Sequence, residues 1–423
     1  MSQKTETEVL VVGAGPVGLF TALCLTSRGV NVEIVDEEFR TAAHSYALAI
    51  HPQSIQLLDQ IGLGGTLLAQ GYPVETVAFY NGPDRCGELK LAELKCRFPY
   101  VIVMPQSGLE DLMEKQLKER GVKVRWNHRA TRIVPRANCA TVEIDKMARA
   151  SCGYAVATTE WTTEKSLSVQ AAFIVGADGH RSVVRRTLDV EYPRIGTTET
   201  FAVFEFHTDK DLEAEVRIVF DGQTTNVLWP LPGGRCRWSF QRERGGPADE
   251  SRAKQRLTVP IGRQAFPHVS GDELSELIRT RAPWFGGRIR QIDWSMEVRF
   301  DRRLASRYGE DRLWLAGDSA HLTGPVGGQS LNMGLRESAD LAWRLAGILR
   351  QGTPLSSLAD YSERFHAQWL RLLAVGNGFT PTDRAAPWAR ELCAKILPCI
   401  PATGDDLIKL ASEIGLEFAP KRA

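Results

Sequence analysis

The segment 9–36, VLVVGAGPVGLFTALCLTSRGVNVEIVD, constrains the fold of this chain more than any other. Its first four residues, Val9 to Val12, are the apolar, mostly β-branched run of a strand buried on both faces. Gly13, Gly15 and Gly18 follow at once in G-x-G-x-x-G spacing. The first permits a tight turn, the second lets backbone approach a pyrophosphate, and the third lets a helix pack close to the strand. The helix start then offers unpaired N–H groups to phosphate. A second strand over 32–35 ends at Asp36, placed to take ribose hydroxyls. Strand, helix, strand and terminal acid together predict a dinucleotide site.

Composition narrows the remaining classes. The chain has 423 residues, room for two or three domains with real cores. A net charge of +1 gives no electrostatic reason to expect nucleic acid. The eight cysteines are scattered without C-x-x-C spacing, which argues against a disulfide framework or a metal site and fits a reducing cytoplasm. Residues 9–25 carry no charge and could pass for a signal-peptide core, but their glycines stand in fingerprint register. No other stretch reaches transmembrane length, so no integral membrane segment is expected.

Along the chain, helices are expected over 52–61, 109–120 and 329–349, and strands over 74–80, 89–94, 101–103 and 122–126. Segments 140–144, 154–158 and 167–175 read as three antiparallel strands. Four alternating segments, 200–206, 215–220, 225–231 and 235–241, predict an antiparallel sheet. Residues beyond 353 read as helices broken by prolines.

Three separated pieces carry a family resemblance: Gly13 to Gly18, the run Ala177-Asp178-Gly179-His180-Arg181-Ser182-Val183-Val184-Arg185, and Gly317-Asp318 with the following PVGGQSLN. In order and setting they resemble the signatures of single-component, group A flavoprotein monooxygenases with the p-hydroxybenzoate hydroxylase fold. The resemblance implies an α/β fold: a Rossmann-like FAD-binding domain (1–72, 101–185 and 300–352), an inserted antiparallel-sheet substrate domain (73–100 and 186–299) and a C-terminal helical segment (353–423). It also implies tightly held, non-covalent FAD and NAD(P)H as transient reductant.

Residue roles follow from that resemblance. Asp36 would hold the adenosine ribose, and Gln106 and Asp318 the ribityl region. Asp178 and Gly179 would lie near the pyrophosphate and the NAD(P)H path, with Ser182 and Arg185 ordering them. Pro325 would stand beside the isoalloxazine, and Gly327, Gly328, Gln329 and Asn332 along the flavin edge, where free amides stabilise negative charge. Relatives carry an arginine near the position of Tyr46; Arg40 is the available substitute.

The implied reaction uses O2 and a flavin hydroperoxide to place one oxygen atom in an aromatic, polycyclic or polyketide-like substrate. Hydroxylation leads; epoxidation, Baeyer–Villiger insertion, a reductase or halogenase of the same fold, and a non-catalytic flavin-binding module are the alternatives. Tyr80, Phe204, Trp229 and Phe240 are candidate pocket walls. His51, Tyr46 and His207 are candidate bases for a phenol, while His321 fits a structural role better.

Overall fold

A computed structural model describes residues 4–39, 49–152, 158–243, 258–261, 264–375 and 378–418. The opening strand Lys4–Val12 lies between Val32–Val35 and Thr158–Gly176, parallel to both. Val124–Arg125 and Leu313–Leu315 extend this parallel sheet on either side. Val9, Leu10 and Val11 are fully buried, as a strand covered on both faces requires. The helix Pro16–Thr26 is buried from Gly18 through Cys24 to Leu25 and so has almost no polar face. It packs between the helices Gln106–Glu119 and Gln329–Gln351. Each of its buried leucines contributes about 1.5–3 kcal/mol of transfer free energy.

The three antiparallel strands expected between 140 and 175 are corrected to two long ones. Ala140–Cys152 pairs antiparallel with the first part of Thr158–Gly176, and residues 154–157 lie outside the described residues. From Ser168 onward the same long strand runs parallel to Lys4–Val12. One continuous strand therefore joins a surface hairpin to the nucleotide-binding sheet.

The second sheet has seven strands, in the order Ile289–Phe300, Glu199–Thr208, Arg235–Gln241, Thr224–Leu231, Glu215–Asp221, Thr76–Asn81, Asp84–Lys90. Its pairings are antiparallel except Glu215–Asp221 with Thr76–Asn81, which run parallel. Both faces carry apolar clusters. The inner face carries Phe79, Phe201, Val203, Trp229, Met296 and Val298 and is covered by the C-terminal segment. The outer face carries Tyr80, Phe204, Phe206, Trp238 and Phe240 beneath the helix Gly271–Arg281.

The C-terminal segment holds the helices Ser357–Leu372, Pro387–Ile396 and Gly404–Glu413, and also an antiparallel strand pair, Phe379–Pro381 with Leu416–Phe418. Trp388 locks it to the sheet by stacking on Phe79 at 5.2 Å. No helix among the described residues is long and apolar enough to cross a membrane.

Candidate functional site

A cleft of about 900 Å³ opens between the two sheets. Two helix N-termini face it. Gly15 precedes Pro16–Thr26 and Gly328 precedes Gln329–Gln351, and neither helix start receives a side-chain cap. Amide groups left without intrahelical partners at both places are ready for anionic or acceptor groups of a ligand.

The three glycines of the fingerprint do different work. Gly13 adopts φ +102°, and a Cβ there would lie 2.2 Å from the Ala177 carbonyl oxygen. A Cβ on Gly18 would meet the Gly13 carbonyl oxygen at 2.0 Å. Both are required by packing within the protein. Gly15 has no described atom within 4 Å of such a Cβ and borders the cleft, so its bareness serves whatever occupies that space. Asp36 sits at the tip of the second strand, where Oδ2 accepts the Ala14 N–H at 2.5 Å and Oδ1 the Glu38 N–H at 2.7 Å. The carboxylate is thereby tied to the glycine loop.

The run from Asp178 to Arg185 is built as a capped turn. Asp178 Oδ2 accepts the Val183 N–H at 2.7 Å, and Ser182 Oγ accepts the Arg185 N–H at 2.9 Å. Burial raises the Asp178 carboxyl above its ordinary range, and its Oδ1 is buried without a partner. The buried Arg185 donates to the carbonyls of Ser319 at 2.7 Å and His180 at 2.6 Å. Its guanidinium also lies 3.9 Å from the Tyr192 ring centroid, a cation–π contact.

Asp318 leaves the third strand of this site on the short helical turn Gly317–Ser319 and projects into the cleft. Desolvation within the cleft raises its carboxyl above the ordinary range. Beneath it, Glu337 accepts the Gly317 N–H at 2.8 Å and the Trp369 Nε1–H at 3.0 Å, and lies 2.9 Å from His321 Nε2. His321 and Glu337 are both fully buried, with His321 stacked on Trp369 at 4.0 Å. His321 is thus part of the scaffold under Asp318. Glu337 was not foreseen, although a carboxylate among Gly334, Ser338, Leu341 and Leu345 on the inward side of a helix was its signal.

Gly15, Gln106, Gly179, Asp318, Pro325, Gly328 and Gln329 all border the cleft. Several expected residues stand behind it. A Cβ on Gly327 would lie 2.2 Å from the Pro398 carbonyl oxygen, so glycine there admits the C-terminal segment. Asn332 is fully buried: its Nδ2 donates to the carbonyls of Ala49 at 2.8 Å and Gly328 at 2.7 Å, and its Oδ1 accepts the His51 N–H at 2.7 Å. Its amide shapes the cleft edge from inside the protein. Gln329 donates Nε2–H to the Ile400 carbonyl at 2.7 Å and leaves Oε1 buried without a partner.

The expected pocket walls need correction. Tyr80 stacks on Trp284 at 4.4 Å and Phe240 on Trp238 at 4.6 Å, and with Phe204 they belong to the outer face of the sheet. Trp229 is on the inner face but packs within its core. An apolar wall of the cleft is formed instead by Phe266, Val298 and Phe300, which border it together with Pro325.

The candidate bases do not converge on it either. His51 is fully buried with Nε2 at 2.8 Å from the Gly327 carbonyl oxygen, and burial pushes its imidazole down to about 3. His207 stands 3.4 Å from Asp293 of the neighbouring strand of the seven-stranded sheet and is not among the cleft residues. Tyr46 and Arg40 lie outside the described residues.

An elongated dinucleotide fits this arrangement. It needs a bare phosphate cradle, which Gly15 could offer; an acceptor along its middle, which Asp318 could offer; and donors at its far end, which the helix start at Gly328 could offer. Residues 6–373 match the family described as "FAD binding domain", and the chain belongs to that family. FAD is its cofactor.

Among curated proteins, the chain is 29% identical over 348 residues to a 6-methylpretetramide 4-monooxygenase of Streptomyces rimosus, covering 81% of this chain and 56% of that protein. The chain thus spans little more than half of that relative's length. It is 26% identical over 422 residues to a 12-dehydrotetracycline 5-monooxygenase/anhydrotetracycline 6-monooxygenase of Streptomyces rimosus subsp. rimosus, covering 97% of this chain and 77% of the relative. The fold matches the crystal structure of p-nitrophenol 4-monooxygenase from Pseudomonas putida DLL-E4 with a TM-score of 0.72, at 23% identity over 87% of this chain and 86% of that one.

Proposed function

We propose that this chain is a monooxygenase that uses FAD, NAD(P)H and O2 to insert one oxygen atom into an aromatic or polyketide-like compound, with hydroxylation as the leading outcome. The observation that carries this reading is the meeting of two unlike surfaces in one cleft. One side offers the uncapped helix starts at Gly15 and Gly328, and the other offers the apolar side chains Phe266, Val298 and Phe300. A redox cofactor laid along the first surface would present its reactive end to a ring held by the second.

Bound FAD, once reduced by NAD(P)H, supplies the activation of O2. The protein's residues then divide the remaining work. Gly15 and the helix behind it hold phosphate, and Asp318 holds hydroxyls of the linking chain. The helix start at Gly328 stabilises negative charge without a titratable side chain. Phe300 and Val298 keep water from the reacting centre. Arg186, Arg299 and Arg303 line the same cleft and suit the phosphates of the transient reductant. The relatives' names, which refer to a pretetramide and to tetracycline-type compounds, favour a polycyclic, polyketide-like substrate. The free thiols of Cys24, Cys236 and Cys399 fit a reducing cytoplasm.

The test is a panel of hydroxylated mono- and polycyclic aromatics added to the FAD-loaded protein. At least one should stimulate NADH or NADPH consumption under air. A flavin that NAD(P)H reduces equally fast with and without every compound, and that yields no altered compound, would contradict the reading.

A further inference from the structure

Glu199 places a carboxylate at the edge of an apolar cluster on the inner sheet face. Residues two apart on a strand share a face, so Glu199 aligns with Phe201 and Val203 of the inner core. Its partner across the sheet is Phe300, and that of Phe201 is Val298. Both partners line the cleft. Glu199 Oε1 accepts from Arg302 at 2.9 Å and from Gln241 Nε2 at 3.4 Å.

The other oxygen faces Gly324. A Cβ built on Gly324 would lie 2.8 Å from Glu199 Oε2, and chain neighbours aside it would meet no other described atom within 4 Å. Gly324 is not among the glycines at positive φ, so the turn itself does not demand glycine there. What the missing side chain leaves is a window. On its far side is a cavity of about 30 Å³ bordered by Glu199, Arg302, Thr225 and Gln241, and Thr323 and Gly324 border both this cavity and the cleft. That volume suits one water molecule or one hydroxyl group. Arg302 Nε is also buried there without a partner.

Resting on the monooxygenase reading above, we propose that Glu199 and Gly324 form a subsite that recognises a hydroxyl group on the substrate ring. The ring stands in the cleft against Phe300 and Val298, and its neutral hydroxyl donates through the gap at Gly324 to Glu199 Oε2. Arg302 and Gln241 fix the carboxylate by its other oxygen. A carboxylate acceptor favours a compound with a hydroxyl over one in which that oxygen is methylated, because the ether cannot donate.

Equilibrium dialysis with the FAD-loaded protein tests this without turnover, using 2-naphthol and 2-methoxynaphthalene as probes. The unsubstituted protein should bind the naphthol about tenfold or more tightly than the ether. Glu199→Ala should bring the two within about twofold. Gly324→Ala, which keeps the Glu199 side chain but sets a methyl group against its Oε2 and fills the gap, should do the same. Equal binding of both probes, binding of neither, or a preference that survives in Gly324→Ala would overturn the proposal. Because no NAD(P)H consumption is measured, a failed activity panel would leave a positive result standing, and the reverse also holds.

Discussion

Arg185 donates to the Ser319 carbonyl at 2.7 Å across 134 residues of sequence. That one contact joins the capped turn after Asp178 to the turn that carries Asp318, so two separate signatures become one wall of the cleft. Lysine cannot reproduce it, because a single ammonium does not span two carbonyls and stack on Tyr192 with the geometry of a guanidinium. Arg185→Lys should lower unfolding free energy by about 1–3 kcal/mol, read as the urea midpoint of the FAD-free protein. An unchanged midpoint would show that the two turns hold without the bridge.

Glu337 offers a second test of the same wall from below. Its carboxylate takes donors from Gly317 and Trp369 while facing His321, all away from solvent. Glu337→Gln turns an N–H2 group toward at least one of those donors. The expected cost is about 2–4 kcal/mol, measured by chemical unfolding, with weaker FAD retention because Asp318 follows Gly317. A neutral outcome would mean that the pocket beneath Asp318 relaxes around an amide.

The fingerprint glycines separate packing from ligand binding. Gly13→Ala and Gly18→Ala place a Cβ against backbone oxygens at 2.2 and 2.0 Å and should abolish soluble protein. Gly15→Ala meets nothing and should fold normally, yet bind FAD about tenfold or more weakly because the methyl stands in the phosphate cradle. Normal FAD affinity in Gly15→Ala would move the phosphate away from this loop.

His51 gives a pH signature. Its imidazole falls from an ordinary 6.5 to about 3 on burial, so below about 6.5 the unfolded chain takes up a proton that the folded protein refuses. Stability is lost as pH falls through that interval, by up to about 1.4 kcal/mol per pH unit from this group alone. Asp178 and Asp318, raised by desolvation, act in the opposite sense at lower pH, so the informative quantity is a difference between proteins. Unfolding between pH 4 and 7 should be less steep in pH for His51→Gln than for the unsubstituted chain. Equal slopes would show that His51 can be protonated in place.

What could be read from sequence was local or carried by a repeated pattern. Residues 9–36 form strand, helix and strand because hydrophobic runs and glycines within one short segment decide them. The seven-stranded sheet was visible as alternation, but alternation does not say which side faces a ligand. Phe204 and Phe240 look as suitable for a pocket as Val298 and Phe300 until the helix Gly271–Arg281 is seen to cover the former. Gly327 shows the same limit. Its glycine requirement comes from Pro398, 71 residues on, and no local pattern reports that approach. The long-range contacts of Arg185, Glu337 and Asn332 were likewise invisible, since each depends on a backbone group brought in by another element.

Oxygen labelling tests the central claim most directly. A hydroxylated aromatic that stimulates NAD(P)H consumption is incubated with the FAD-loaded protein under 18O2 in ordinary water, and its product is weighed by mass spectrometry. One 18O atom in each product molecule is the predicted result. Product oxygen drawn from water, or oxygen consumed solely to hydrogen peroxide with the aromatic unchanged, would contradict the account.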